Sequence, residues 1–445
     1  MLNGANNIAF VYTQPPMIEP EAGWSLPDTL VSEPYAFQVP LTEDPFEAGQ
    51  PDPLKTPVSF KAVGLPPGLT ISSTGLISGR ATVEKRDKIT KDVIPYTVTI
   101  TATNKFGTTT PIIKTLLVTP LDTNLVGTFT GVIERSATLN GFLGGAFNMS
   151  VTSKGAYSGK ITMGAVNYSF KGVLNSSLGN PGAPTATVKV SRGAALRPLT
   201  LFFELNSTTA LINVGTLTDG RTIANFTGHR RVWLKTALDP LPAQAYAGYY
   251  TLGMDLPAAL QGTAANPLIP QGTSFASFTI SSTTGALTLA GKLIDGTGFT
   301  YATFVGPTGE VAVFKTLYST KARGSVVGTI LVDQEMPADF DDYTNSGTVS
   351  WWKPPQTGRT YPEGWEPIDL MALGSRYNPP PAGTPVMGLL PVLPGQINAA
   401  VQLLEANVET ALPLSNVPGP SQTGTVQRGR ARRGPRRGGR APAGR

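Results

Sequence analysis

Cysteine is absent from all 445 residues. A disulfide framework, a thiolate metal site and a cysteine nucleophile are thereby excluded, and stability must come from buried apolar surface and backbone pairing. Histidine is nearly absent too. The single imidazole, His229 in the run TGHRRVW (Thr227 to Trp233), stands beside Arg230 and Arg231, two cations that lower its basicity. A hydrolytic triad needs a good base beside a nucleophile, and a His-based metal site needs more than one imidazole. His229 therefore reads as a strand-end residue in a charged loop rather than a catalytic one.

Long apolar runs are also missing. Stretches such as Ala286 to Ala290 and Met387 to Leu393 stop far short of the roughly 20 residues that a membrane-spanning helix requires. No apolar period of 3.6 runs between the strand-like segments, which excludes a parallel α/β architecture, and the glycine-rich stretches do not precede helices, as a phosphate loop would. The start, LNGANNIAFVYTQPP after Met1, lacks the basic head, apolar core and small-residue cleavage site of a secretory signal. Two expectations are open: a cytoplasmic protein, or an internal piece of a longer exported one. The modules described next favour the second.

What the chain has in quantity is glycine and proline, 49 and 40 residues, with only 14% charged residues. Together with abundant Thr, Ser and Val, this composition favours short strands and tight turns, and the length favours about three domains. The expected class is all-β.

The stretch VGLPPGLTISSTGLISG, Val63 to Gly79, shows how such a chain folds. Phe60, Ala62, Leu69 and Ile71 alternate on strands, Leu65-Pro66-Pro67-Gly68 forces a turn, and Thr74-Gly75 and Ser78-Gly79 supply corners that tolerate positive φ. Tyr96, Val98, Ile100 and Ala102 continue the alternation on a longer strand. The run G-L-P-P-G-L-x-I followed by T-G-x-I-S-G resembles the hallmark of the bacterial immunoglobulin-like domain of the cadherin-like, dystroglycan-type group, over about Trp24 to Val118. The resemblance implies a seven-stranded β-sandwich, used as a spacer or adhesion module in surface proteins. Cadherin relatives place calcium-binding carboxylates at domain junctions, but the corresponding position here is Asn104-Lys105, so no calcium is expected at this module.

Beyond Pro120 two segments open alike, LVGTFTGVIE at Leu125 to Glu134 and YAGYYTLGMD at Tyr246 to Asp255, and each continues through the same order of strands. Gly159-Lys160 matches Gly291-Lys292 within that order, so an internal duplication is expected. Strands recur every eight to twelve residues, as in TATVKVS, LTLFFEL and ALINVGTLT, then EVAVFKTLY, GSVVGTILV and SGTVSWW. That spacing predicts an antiparallel meander, closed as a barrel or folded as a sandwich. Over about Thr123 to Tyr377 the pair resembles repeats of exported, autotransporter-like proteins of environmental bacteria, to which no chemistry is assigned. The domain reading is thus an N-terminal extension (1–23), an Ig-like β-sandwich (24–120), two tandem β-modules (121–240 and 241–377), a proline-rich linker (378–426) and a disordered basic tail (427–445).

The most chemical-looking region is DQEMPADFDDYTNSG with the aromatics that follow it. Glu335 and Asp339 are the candidate acid and base of a glycosidase. Asp339, Asp341 and Asp342 are a candidate calcium site. Trp351, Trp352, Tyr361 and Trp365 are a candidate carbohydrate platform, although adjacent strand residues point to opposite faces, so only one of Trp351 and Trp352 can serve it. A solvated turn is the simpler reading of the acids.

In the linker, Ile397, Val401, Leu404, Val408 and Leu412 fit one face of a helix, and AAVQLLEA with VETALPLS fits a pair of strands equally well. The tail holds eight arginines, and removing them from a net charge of +6 leaves the body at −2. Arg428, Arg430, Arg432, Arg433, Arg436, Arg437 and Arg440 could contact phosphates, but no aromatic interleaves them, so nucleic acid is the lesser expectation. The expected function is structural or adhesive and non-enzymatic, without a cofactor, at the cell surface or outside the cell, with a surface protein or polysaccharide as partner.

Overall fold

The computed structural model describes residues 16, 18, 23–41, 58–233, 243–262, 268–318, 323–333, 345–357 and 361–377. Its first module contains β1 (Thr29–Leu30), β2 (Tyr35–Gln38), β3 (Ser59–Val63), β4 (Leu69–Ile71), β5 (Leu76–Gly79) and β6 (Lys85–Arg86). It continues through β7 (Val93–Ile94), β8 (Tyr96–Asn104), β9 (Gly107–Thr108), β10 (Ile112–Leu116) and β11 (Val118–Thr119). One sheet runs β10-β8-β3 with β9 attached to β8, another runs β2-β5-β4, and β1-β11 and β6-β7 form two-stranded pairs. Phe60, Val98, Ile100 and Ala102 of the first and Tyr35, Leu69 and Ile77 of the second are buried in one core, which makes the module a sandwich.

The proline-glycine corner is where the residues lead one to expect it. Leu69 N–H donates to Pro66 O at 3.1 Å, and Gly68 follows the prolines at φ 96°. A Cβ on Gly68 would lie 2.1 Å from Arg80 O, so only glycine lets the two chains approach this closely.

Two eight-stranded antiparallel sheets follow. The first holds β12 (Gly127–Ile133), β13 (Gly145–Val151), β14 (Ala156–Met163), β15 (Val166–Val173), β16 (Thr185–Val190), β17 (Leu199–Asn206), β18 (Leu211–Thr218) and β19 (Ile223–Arg230). Each strand pairs with its sequence neighbour except at β15 and β16, and β19 returns to pair with β12. The ring therefore closes at its ends and leaves one seam, bridged by the Asn175–Thr185 pair. The second sheet repeats this plan with β20 (Gly248–Asp255), β21 (Thr273–Ile280), β22 (Ala286–Lys292), β23 (Gly298–Phe304), β24 (Glu310–Tyr318), β25 (Arg323–Val332), β26 (Asn345–Lys353) and β27 (Trp365–Tyr377). There β27 pairs with β20, and the seam falls between β23 and β24.

Both barrels are filled rather than hollow. Phe147 stacks on Phe226 at 4.8 Å and on Phe170 at 5.6 Å inside the first, and Tyr250 stacks on Phe278 at 5.1 Å inside the second. Each barrel also opens on the same device: Gly127 starts β12 beneath the Arg230 guanidinium, and Gly248 starts β20 beneath that of Arg376. The sequence match of Gly159-Lys160 with Gly291-Lys292 holds by strand but not by register. Gly159 faces Met149, whereas Gly291 faces Ala276, two residues further from its hairpin turn than the position equivalent to Met149. Among the described residues one α-helical turn interrupts the strands, α1 (Ala137–Asn140), capped by Ser136 Oγ accepting from Leu139 N–H and by Gly141 in the left-handed region. A single turn is too short to leave a periodic trace in sequence.

Candidate functional site

Glu335, Asp339, Asp341 and Asp342 lie outside the described residues. So do the linker segment 396–412 and Arg428, Arg430, Arg432, Arg433, Arg436, Arg437 and Arg440. The described aromatics divide between two environments. Trp351 points into the second barrel and is fully buried, its ring 4.4 Å from that of Trp365. Tyr361 lies 5.9 Å from Trp365 on the same side. Trp352 points the other way, onto Phe142 of the first barrel at 5.8 Å. Trp351 thus has no surface to offer a sugar ring.

The buried aromatics surround a residue that sequence reasoning did not single out. Lys353 ends β26 with its side chain 3% exposed, its Nζ 3.9 Å from Asp295 Oδ2, which is equally buried. The ammonium also sits 5.2 Å from the centres of the Tyr318 and Trp365 rings and 5.9 Å from that of Tyr361. Tyr318 Oη donates to Asp295 Oδ2 at 2.9 Å and accepts from Trp351 Nε1 at 2.9 Å. Burial, reinforced by the Asp295 charge, raises the Tyr318 phenol far above its ordinary value, so it remains a donor. Tyr318 and Tyr361 both hold φ near +60°, at 67° and 57°, a strained conformation for non-glycine residues. The network satisfies a buried charge pair with hydrogen bonds and aromatic faces, which closes this part of the barrel core. Lys353, Tyr318 and Trp365 come from three separate strand ends and Asp295 and Tyr361 from two loops, so no local pattern announces them.

His229 is buried at the boundary between the barrels. Its ring meets the Phe304 ring edge-on at 5.5 Å, and Nε2 lies 3.3 Å from Phe304 O. Burial lowers its pKa, against the pull of the Glu310 carboxylate and the Phe304 carbonyl. A neutral tautomer donating from Nε2 to Phe304 O fits this contact. The imidazole serves packing and is not presented to a substrate.

What the structure builds with care are the junctions between modules. At the first junction Arg80 of the sandwich donates to Ser32 O, to Leu174 O at 3.1 Å and to Asn175 Oδ1 at 2.6 Å. Ser32 Oγ and Ser176 Oγ are 2.6 Å apart, and Leu178 N–H donates to Glu33 Oε1 at 3.0 Å. At the second junction Arg135 uses all its donors. Nε reaches Ser350 Oγ at 2.9 Å, Nη1 reaches Ser325 Oγ at 2.7 Å and Phe142 O, and Nη2 reaches Ser325 O at 3.0 Å and Ser350 O at 2.7 Å. Burial pushes its guanidinium down to about 10, with Asp369 opposing the shift, so it stays charged at neutral pH. Val132 and Ala146 of the first barrel pack with Ala312, Phe314 and Val327 of the second in a closed apolar cluster beside it.

The two junctions share a plan. Each barrel receives the preceding module on the turn between its second and third strands and on the connection after its fourth. A Cβ on Gly155 would strike Ser32, and one on the equivalent Gly285 would strike Trp233. Leu174 O accepts from Arg80 in one case, and Gly306 O accepts from Trp233 Nε1 at 3.2 Å in the other. Arg231 adds a bond to Thr284 O at 3.3 Å. The Asn104-Lys105 turn of the sandwich carries a bond from Phe106 N–H to Asn104 Oδ1 at 2.9 Å. Among the described residues no group of His, Cys, Asp and Glu is placed to hold a metal ion, and no helix is long and apolar enough to cross a membrane.

Residues 15–119 match the family model described as "Putative Ig domain", a span slightly wider than the one its motif marks in the sequence. The match and the two-sheet sandwich agree on an Ig-like domain for this segment. No curated protein sequence matches the chain. Among solved structures, the human Desmocollin-1 ectodomain shares 9% identity at a TM-score of 0.20, covering 83% of this chain and 81% of that one. The Protocadherin GammaB4 extracellular domain shares 11% identity at a TM-score of 0.18, with 82% and 67% covered. Transferrin binding protein B from Neisseria meningitidis shares 11% identity at a TM-score of 0.15, with 79% and 78% covered. Such TM-scores do not establish a common overall fold.

Proposed function

We propose that this chain performs no chemistry of its own and serves as a structural and adhesive module of an exported bacterial cell-surface protein. An Ig-like domain fits such a role. The observation that carries the reading is the buried Arg135 clamp, because four of its five hydrogen bonds cross from one barrel to the next, which makes sense where the modules must hold a fixed geometry. The sandwich, docked through Arg80, extends the same construction to three modules.

The test has two arms. Calorimetric unfolding of residues 1–445 should show the sandwich and both barrels melting together, and fractionation of the source cells should find the protein outside the cytoplasm. Independent melting of the barrels would contradict the structural half of the reading, and exclusively cytosolic recovery would contradict the surface half.

A further inference from the structure

The outer face of the first barrel carries an open groove of about 790 Å³. Lys160, Lys171 and Lys189 line it, together with Ser150, Ser158 and Ser169, and all six side chains are exposed. The ladder arranges them in a pattern: Ser150 faces Ser158, Ser158 faces Lys171, and Lys160 faces Ser169, with Lys189 on β16 beyond the seam. Hydroxyls form a track and ammonium groups border it, and no carboxylate lines the groove. In a chain with so few charges, three lysines lining one groove are a local excess of one sign.

The second barrel provides an internal comparison. Its corresponding groove, about 570 Å³, is lined by Tyr249, Ser277, Thr279, Thr288 and Ala302 among others and by no charged side chain. The fold alone therefore does not call for lysines there.

We propose that the groove of the first barrel binds a linear acidic polysaccharide, with its carboxylates on Lys160, Lys171 and Lys189 and its hydroxyls on the serine track. The chemistry favours a uronate-type glycan over a nucleic acid. Single-stranded nucleic acid is held by exposed aromatic rings that stack on bases, and the one ring lining this groove, Phe170, is 5% exposed and packed in the barrel core. The proposal deepens the adhesive half of the function proposed above and rests on it for the choice of a glycan. The docking half stands apart, since failure of the groove would leave Arg135 and its calorimetric test unaffected.

The experiment is titration of the full chain with oligogalacturonate at low salt, with neutral dextran and single-stranded DNA as the other probes. Binding of oligogalacturonate alone is expected, weakening as salt screens the ammonium groups. It should fall roughly tenfold in the triple variant Lys160→Gln, Lys171→Gln, Lys189→Gln, as three exposed charge contacts warrant. The same three substitutions should leave the melting temperature unchanged, because all three side chains are exposed. Unchanged affinity in the triple variant, absence of binding at low salt, or equal binding of single-stranded DNA through the same lysines would each overturn the proposal.

Discussion

Arg135 donates from Nη2 to the Ser350 carbonyl oxygen at 2.7 Å, a bond between residues 215 positions apart that joins one barrel to the next. Ser325 Oγ, which accepts from Nη1, in turn donates to Leu143 O at 2.6 Å, so the clamp is a chain of bonds rather than a single contact. Desolvating a guanidinium is costly, and here the cost is offset only while the barrels remain docked.

Arg135→Ala should therefore destabilise the protein by about 3 kcal/mol, the scale for removing one member of a buried charged network. Arg135→Lys should recover only part of this, since an ammonium cannot reproduce the planar fork. Urea denaturation of the three proteins measures both effects, and a fully restored Lys variant would show that charge alone matters.

Within the second barrel, Lys353→Met and Asp295→Leu should each cost about 3 kcal/mol, because each removes one member of a buried charge pair. The double variant should lie within about 1 kcal/mol of wild type, as apolar replacements of buried pairs do. Additive losses in a double-mutant cycle would mean that the 3.9 Å pair is not coupled.

His229 gives the fold an acid-sensitive contact. Its folded pKa is depressed by burial, so below the ordinary histidine value near 6.5 the unfolded chain binds a proton that the folded chain does not. Its contribution is thus fully present above pH 6.5 and is lost as pH falls, with a slope of up to about 1.4 kcal/mol per pH unit. His229→Gln should flatten the stability profile just below pH 6.5, and an unchanged slope would place the acid sensitivity elsewhere.

Gly68→Ala should cost about 2 to 3 kcal/mol, combining a positive φ with a Cβ 2.1 Å from Arg80 O. Gly141→Ala, also at positive φ but with open space around its Cβ, should cost less. Comparing their thermal midpoints separates steric overlap from backbone strain.

The parts of this fold that sequence reveals are the local ones. The Pro66-Pro67-Gly68 corner, the alternation of Tyr96, Val98, Ile100 and Ala102, and the repeated openings at Leu125 and Tyr246 all depend on neighbours a few residues away. The opposed directions of Trp351 and Trp352 follow from the strand period alone. The clamp at Arg135, the Lys353 network and the lysine groove do not, because each assembles from strands far apart in the chain. The acids of DQEMPADFDDY drew attention by density, whereas Asp295, the carboxylate beside the buried Lys353, stands in the loop between β22 and β23.

The rigidity of the junction between the barrels is open to direct measurement, helped by the absence of any native cysteine. Spin labels can be placed at Thr187→Cys and Thr288→Cys, exposed positions on the first and second barrels, and the distance between them read by pulsed electron resonance. A docked pair of barrels requires a single narrow distribution that broadens when Arg135→Ala is added. A broad distribution in the unaltered junction, or a narrow one that Arg135→Ala leaves untouched, would contradict it.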